Sequence, residues 1–285
     1  MGYNFGNIEE KRLEILDKTN KKIRIGKLIY PFFGFLVIKS AKDERKKFAR
    51  SIKSRIINYI LEKNYKNAVY FPNDRIQLGE IMNTKLYDYP DRCKGEDLIT
   101  GMYKNINFDV CDYQLFKIVK RTVKIGDSFV ETETEKSYFN GRWFHYEFKR
   151  KFEGHVIIVE KSKTLDSAVT RLNGYKKYET ESIAFNEKFD CYTNNEDLLF
   201  YLLTPLIIDK LIVLEEIHRG KINFSFLNNC FDVAINDGKD YLEPIFEKPV
   251  TEEGYQDLIS QIEIIGAIIN ELNLDGIKFN EKKGC

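Results

Sequence analysis

The chain is 285 residues long, 43% hydrophobic and 14% aromatic, with 45 Lys or Arg against 44 Asp or Glu and a formal net charge of +1. That length accommodates one large or two modest domains, and the apolar content excludes a disordered or collagen-like chain. No apolar run approaches the ~18–20 residues of a membrane-spanning helix. Five scattered cysteines (Cys93, Cys111, Cys191, Cys230, Cys285), with no CxxC pair and no signal peptide, read as a reducing, cytoplasmic setting.

The near-zero total hides a polarised chain. Between Lys11 and Arg55 stand fifteen Lys or Arg against four acids, a net of +11, so the other 240 residues carry about −10. Such asymmetry points to a surface-binding arm joined to a differently tasked body. Residues 1–63 are therefore expected to form a basic, helical N-terminal arm, and residues 64–285 an α+β body.

Inside the arm lies one apolar island, Leu28–Ile38, flanked by Lys27 and Lys39. Eleven helical residues cover only ~16 Å, about half of the ~30 Å hydrocarbon thickness, and Pro31 and Gly34 disfavour an unbroken helix. The island cannot span a bilayer. It suits the headgroup boundary of an anionic membrane, where each nearby cation adds ~1 kcal/mol. Docking of the island on the chain's own core, with the lysines as a solvated face, accounts for the same residues. The expected partner is an anionic membrane surface or a membrane-associated protein, placing the chain at the inner face of the membrane. Nucleic acid is the less favoured partner. The candidate contact residues are Lys27, Tyr30, Phe32, Phe33, Phe35, Lys39, Arg45, Lys46, Lys47 and Arg50.

From Ser40 to about Lys63, the three- and four-residue spacing of Phe48, Ile52, Ile56, Tyr59 and Ile60 predicts an amphipathic helix. Ala68–Phe71 reads as a short strand stopped by Pro72, and Ile76, Leu78, Ile81 and Met82 as a helical turn. Asp88, Asp91, Glu96 and Asp97, near Cys93, read as a solvated loop. From Asn105 to Lys161, runs at 106–110, 116–120, 123–125, 129–134, 142–148 and 155–159 predict an antiparallel meander, with a turn at Gly126-Asp127.

Asn195–Ile217 is predicted helical, broken where Thr204 caps a new helix and Pro205 takes its first position. His218, Arg219 and Gly220 stop it. A hairpin follows, with Ile222, Phe224 and Phe226 before an Asn228-Asn229 turn and Phe231, Val233 and Ile235 after it. Thr251, Glu252 and Glu253 open a last helix with the stripe Tyr255, Leu258, Ile259, Ile262, Ile265, Ile269 and Leu272. The fold class is α+β: a mainly antiparallel sheet, a meander plus a C-terminal hairpin, with packed helices.

Chemistry is sparse. His145 and His155 lack a second His or Cys at metal-ligand spacing, so no metal or cofactor is expected. There is no HExxH, GxSxG or glycine-rich phosphate loop. Cys111 and Cys191 sit in apolar surroundings and read as buried, inert thiols.

Several motifs nevertheless fall in a familiar order: Gly95-Glu96-Asp97-Leu98-Ile99-x-Gly101, Phe139-Asn140-Gly141-Arg142-Trp143-Phe144, Phe152-Glu153-Gly154-His155 with its β-branched run, and Phe185-x-x-x-Phe189-x-x-Tyr192. Leu203-Thr204-Pro205, Leu242-Glu243-Pro244 and Glu271-Leu272-Asn273-Leu274 follow. Over about residues 44–275 the chain resembles the bacterial domain-of-unknown-function family 3137. The resemblance implies no activity and no catalytic residue. It implies a pair of transmembrane helices ahead of the body, a place held here by the eleven-residue island. The expected function is a non-enzymatic binding or scaffold module brought to the membrane surface by its arm. The rival reading is an enzyme whose site assembles only in three dimensions, marked by a pocket of converging ionisable groups with perturbed pKa values.

Overall fold

A computed structural model describes residues 5–30, 33–125, 128–161, 172–218, 220–242, 246, 248–251 and 253–280. The Gly126-Asp127 turn, Arg219, Glu243-Pro244, Glu252, Phe32 and Cys285 lie outside the described residues. The chain forms two compact units, residues 1–70 with 242–264 and residues 71–241 with 265–285. The expected arm, residues 1–63, falls within the first.

In the first unit, α1 (Phe5–Leu28) and α2 (Gly34–Asn64) pair as a helical hairpin, followed by strand β1 (Lys66–Phe71). The island is thus the bend between two helices, and α2 starts six residues before the predicted Ser40 because Gly34 already lies in its first turn. Arg12, Thr19 and Gly26 are buried at seven-residue intervals on α1, and Gly34 and Ala41 keep the same interval on α2. A seven-residue repeat keeps one seam facing a partner helix, and small residues in it let the backbones close. Further along α2 the seam becomes the predicted apolar stripe, with Ile52, Ile56, Ile57, Ile60 and Leu61 buried. Phe48 packs edge-on to Phe246 at 6.0 Å, and the Tyr65 hydroxyl donates to the Ile262 carbonyl at 2.7 Å.

The second unit holds strands β2 (Arg92–Tyr103), β3 (Ile106–Ile125), β4 (Ser128–Glu147), β5 (His155–Glu160), β6 (Lys176–Tyr178), β7 (Phe189–Thr193), β8 (Lys221–Leu227) and β9 (Cys230–Asn236). They are antiparallel, in the order β2-β3-β4-β9-β8-β5-β7-β6. The class is α+β, as the element pattern predicts. The neighbour order differs from a simple meander: β4 and β5, expected side by side, are separated by the β8-β9 hairpin. Those two strands are consequently buried on both faces, with Ile222–Phe226 and Phe231–Ile235 all shielded.

The segment read as a solvated loop around Asp97 is the start of β2, and Asp97 is buried. Runs expected as separate strands at 116–125 fuse into β3, and those at 129–148 into β4. Helices α3 (Leu78–Asn83), α4 (Ile183–Lys188), α5 (Glu196–Leu202), α6 (Pro205–Ile217) and α8 (Ile277–Asn280) belong to this unit, and α7 (Gln256–Glu271) crosses the division. Asn195 caps α5, its side chain accepting from the Leu198 amide at 3.1 Å. Pro205 opens α6 as predicted, but Thr204 makes no side-chain cap bond. Thr251 accepts from the Gly254 amide at 3.0 Å ahead of a short 3-10 turn and α7.

Candidate functional site

The hairpin bend carries the predicted contact residues. Ile25, Leu28, Tyr30, Phe33, Phe35 and Leu36 are all exposed, Leu28 at 86% and Phe33 at 69%, while Val37 and Ile38 are half-buried. Among the described residues, the bend of the island is therefore presented rather than docked on the core. From Lys18 to Lys42 the chain has seven Lys or Arg and no acid. Lys27, Lys39, Lys46, Lys47 and Arg50 are exposed beside or behind the bend.

Arg45 is the exception. Its guanidinium turns inward, donating to Thr19 Oγ1 at 2.8 Å and Asn20 Oδ1 at 2.7 Å, and lies 5.4 Å from the Phe246 ring centre. It fastens α2 to α1. Lys18 and Lys22 are also engaged, both donating to Glu44 at 2.6 and 2.7 Å and holding its carboxyl below the usual range. Arg12 is buried against Glu9. Part of the arm's positive charge thus closes the hairpin, and the rest faces water near the bend.

A second site lies in the second unit, in a cleft of about 330 Å³ lined by residues of α3, β3, β4, β8 and β9. On the same sheet face, Cys111, Tyr113, Trp143 and Ala234 form an apolar core cluster under α3. One step further along each strand the pattern turns polar: Asp109 pairs with His145 across β3 and β4, and His145 with Asp232 across β4 and β9. The Asp232 Oδ1 atom meets His145 Nδ1 at 2.8 Å and accepts the Trp143 indole N–H at 3.0 Å.

Burial alone would push the His145 imidazole down. The Asp232 charge, the hydrogen bond to it and the Cys230 thiol outweigh burial and hold the pKa at about 11. The Asp109 carboxyl is raised by burial; His145 pulls it down, and Glu80 and Glu147 add to the rise. The cleft thus gathers two ionisable groups with displaced pKa values, His145 and Asp109. Sequence reasoning found His145 but neither Asp232 nor Cys230 beside it. They sit at alternate positions of one strand, and only the β4-β9 register, across 87 residues, brings them to His145.

His155 has a structural role. His155 is buried, its ring nitrogens 2.9 Å from the Tyr175 hydroxyl and 2.8 Å from Ser225 Oγ. Burial raises the Cys111 and Cys191 thiols to about 12, so both are poor nucleophiles at neutral pH. Asp97, Asp112 and Asp240 bring carboxylate oxygens within 4.8 Å of one another, metal-ligand spacing. Asp112 is already taken by Arg142 Nε at 2.9 Å and the Tyr241 amide at 2.9 Å, so a guanidinium stands where a cation would compete. Among the described residues no helix is long and apolar enough to cross a membrane.

The model of a family described as a protein of unknown function, DUF3137, matches residues 137–274. Over this stretch the chain is similar to DUF3137. The DUF3137 match runs from within β4 to just past α7, so it takes in His145, Cys230 and Asp232 but not the α1-α2 hairpin. It is narrower than the expected 44–275, and the Gly95–Gly101 motif lies ahead of it. No curated protein matches the chain. A crystal structure of the mycobacterial trehalose monomycolate transport factor A, TtfA, is similar with a TM-score of 0.41 and 8% identity, covering 78% of this chain and 93% of that one. Agreement at that level transfers no function.

Proposed function

We propose that this chain is a binding module that attaches peripherally to anionic membrane through the bend of its α1-α2 hairpin. The observation that supports this reading is the exposed set Leu28, Tyr30, Phe33, Phe35 and Leu36 inside a segment that holds seven cations and no acid. A contiguous exposed apolar patch of this kind marks an interaction surface. Full burial of one such side chain contributes ~1.5–3 kcal/mol, and each neighbouring Lys or Arg ~1 kcal/mol on anionic lipid. Two or three partly inserted rings with four or five cations are enough for reversible attachment. The acyl region needs to be entered only to the depth of the bend, which fits helices too polar to cross.

The test is co-sedimentation with vesicles of phosphatidylcholine alone and of phosphatidylcholine mixed with phosphatidylserine, at low and high salt. Binding to the mixed vesicles that falls with salt, and is lost in Phe33→Ser/Phe35→Ser and in Lys27→Glu/Lys39→Glu, is the expected result. These positions are exposed, so the substitutions leave the seam of the hairpin intact. Equal binding to both vesicle types, or binding unchanged in both variants, rejects the reading.

A further inference from the structure

Cys230, His145 and Asp232 share one face of the sheet at the floor of the second-unit cleft. The register of β4 against β9 sets His145 opposite Asp232 and Glu147 opposite Cys230, so Cys230 is the diagonal neighbour of His145. Such neighbours lie within reach of a ring. Asp232 is itself oriented by the Trp143 indole and occupies His145 Nδ1. The Cys230 thiol adds to the upward pKa shift of the same ring, whose Nδ1 is held by Asp232. Cys230 is only half-buried and lines the cleft, unlike Cys111 and Cys191. Nucleophile, base and a carboxylate that orients the base are the three parts of an activated-thiol site.

We propose that Cys230 is a nucleophilic thiol served by His145 and Asp232, acting on an acyl compound that carries a positive charge. The acidic groups lining the cleft with the thiol and the ring are Glu80 from α3, Asp109 from β3, Glu147 from β4 and Asp232 from β9, and among the described residues no Lys or Arg lines it. Four carboxylates against one imidazolium repel an anionic substrate and attract an ammonium or guanidinium group. In the acylation step the Cys230 sulfur of a thiolate-imidazolium pair adds to the acyl carbon, forming a C–S bond. The bond from that carbon to the leaving oxygen, nitrogen or sulfur breaks, and Nε2–H gives its proton to the leaving atom. Water then adds its hydroxyl to the acyl carbon and gives its proton to Nε2, and the C–S bond breaks with its electron pair on sulfur, releasing the acid and regenerating the thiolate-imidazolium pair. The inference is independent of membrane attachment, since it uses a different unit and different residues.

Alkylation of the intact chain by iodoacetamide, followed by mass spectrometry of the Cys230 and Cys93 peptides across pH, tests it. In that reaction the sulfur bonds to the methylene carbon and iodide leaves, so no substrate is needed. An ordinary thiol reacts in proportion to its thiolate fraction, rising through pH ~8.5. The expected result is Cys230 alkylation at least about tenfold faster than that of Cys93 near pH 6, with a rate nearly flat up to neutral pH. His145→Gln should remove that excess while the Cys93 rate and the circular dichroism spectrum stay as they are. Cys230 reactivity that only tracks Cys93 with pH overturns the proposal, and this profile of the unsubstituted chain decides it even if His145→Gln fails to fold. So does a His145→Gln chain that is folded and alkylated at the original rate.

Discussion

The carbonyl oxygen of Gly26 lies 2.0 Å from where a β-carbon on Gly34 would stand. The two helices of the hairpin therefore touch backbone to backbone just behind the exposed bend, and no side chain fits between them. Gly34→Ala should push α1 and α2 apart and destabilise the hairpin by about 1–3 kcal/mol, despite the better helix propensity of alanine. Gly79, in α3, has nothing within 4 Å of such a carbon, and Gly79→Ala should be neutral or stabilising by up to ~1 kcal/mol. Urea-melt midpoints of the two variants check the contrast.

Arg142 and Asp112 form a buried cross-strand pair between β3 and β4, with the guanidinium 1% exposed and stacked 4.5 Å from the Tyr241 ring centre. Removing one partner of such a pair costs about 3–5 kcal/mol, whereas replacing both by apolar residues of similar volume is often neutral. Asp112→Ala is expected to lower stability by an amount in that range. Asp112→Leu/Arg142→Met should recover part of the loss, as read by denaturant titration.

The histidines divide by charge. Burial, with Lys85 nearby, pushes His155 down to about 4, and burial also lowers His218. An unfolded histidine titrates near 6.5, so between about pH 6.5 and 4 the unfolded chain binds a proton that folded His155 refuses. Stability then falls as pH falls through that window, by up to ~3 kcal/mol. His145 works the other way: its contribution is complete below about 6.5 and is lost as pH rises towards 11. At pH 7, NMR of the imidazole Hε1 protons should show one charged ring, lost in His145→Gln, and two neutral rings.

Native-state reaction with a bulky disulfide reagent at neutral pH should spare Cys111 and Cys191, both buried and raised to about 12, and modify Cys93 and Cys230. Counting released thiolate before and after denaturation gives the number protected. Labelling of Cys111 in the folded chain would mean that the core under α3 opens.

Elements with a local signal were legible in the sequence. The β8-β9 hairpin announces itself by two alternating runs around Asn228-Asn229, with Asn228 at φ +55 in the turn. The start of α6 is written in Pro205 and the face of α7 in its isoleucine stripe. Even the motif Phe139-Asn140-Gly141-Arg142-Trp143-Phe144 has a physical reading: Phe139, Arg142, Trp143 and Phe144 are all buried, and a β-carbon on Gly141 would stand 2.1 Å from the Ile235 carbonyl oxygen. What failed was non-local. β2 opens as Arg-Cys-Lys-Gly-Glu-Asp, too charged to signal a strand, yet β3 pairs with it on both sides of a bulge at Asp97, which is buried and donates its amide to the Pro72 carbonyl. The presented island was a matter of which helix faces pair, settled by Gly26 against Gly34. The cleft depends on a register between strands that the sequence holds far apart.

That same register has a temporal consequence. β4 ends at Glu147 and β5 begins at His155, but the neighbours that saturate their facing edges, β9 and β8, are complete only at Asn236. A nascent chain emerging from the ribosome must therefore hold the aromatic-rich edge of β4 unzipped for some ninety residues, and the short β-branched edge of β5 for some seventy-five, before the hairpin can slot between them. The expected behaviour is slow, late closure governed by distant pairing, with truncations ending before Asn236 captured by chaperones or lost to edge-to-edge aggregation.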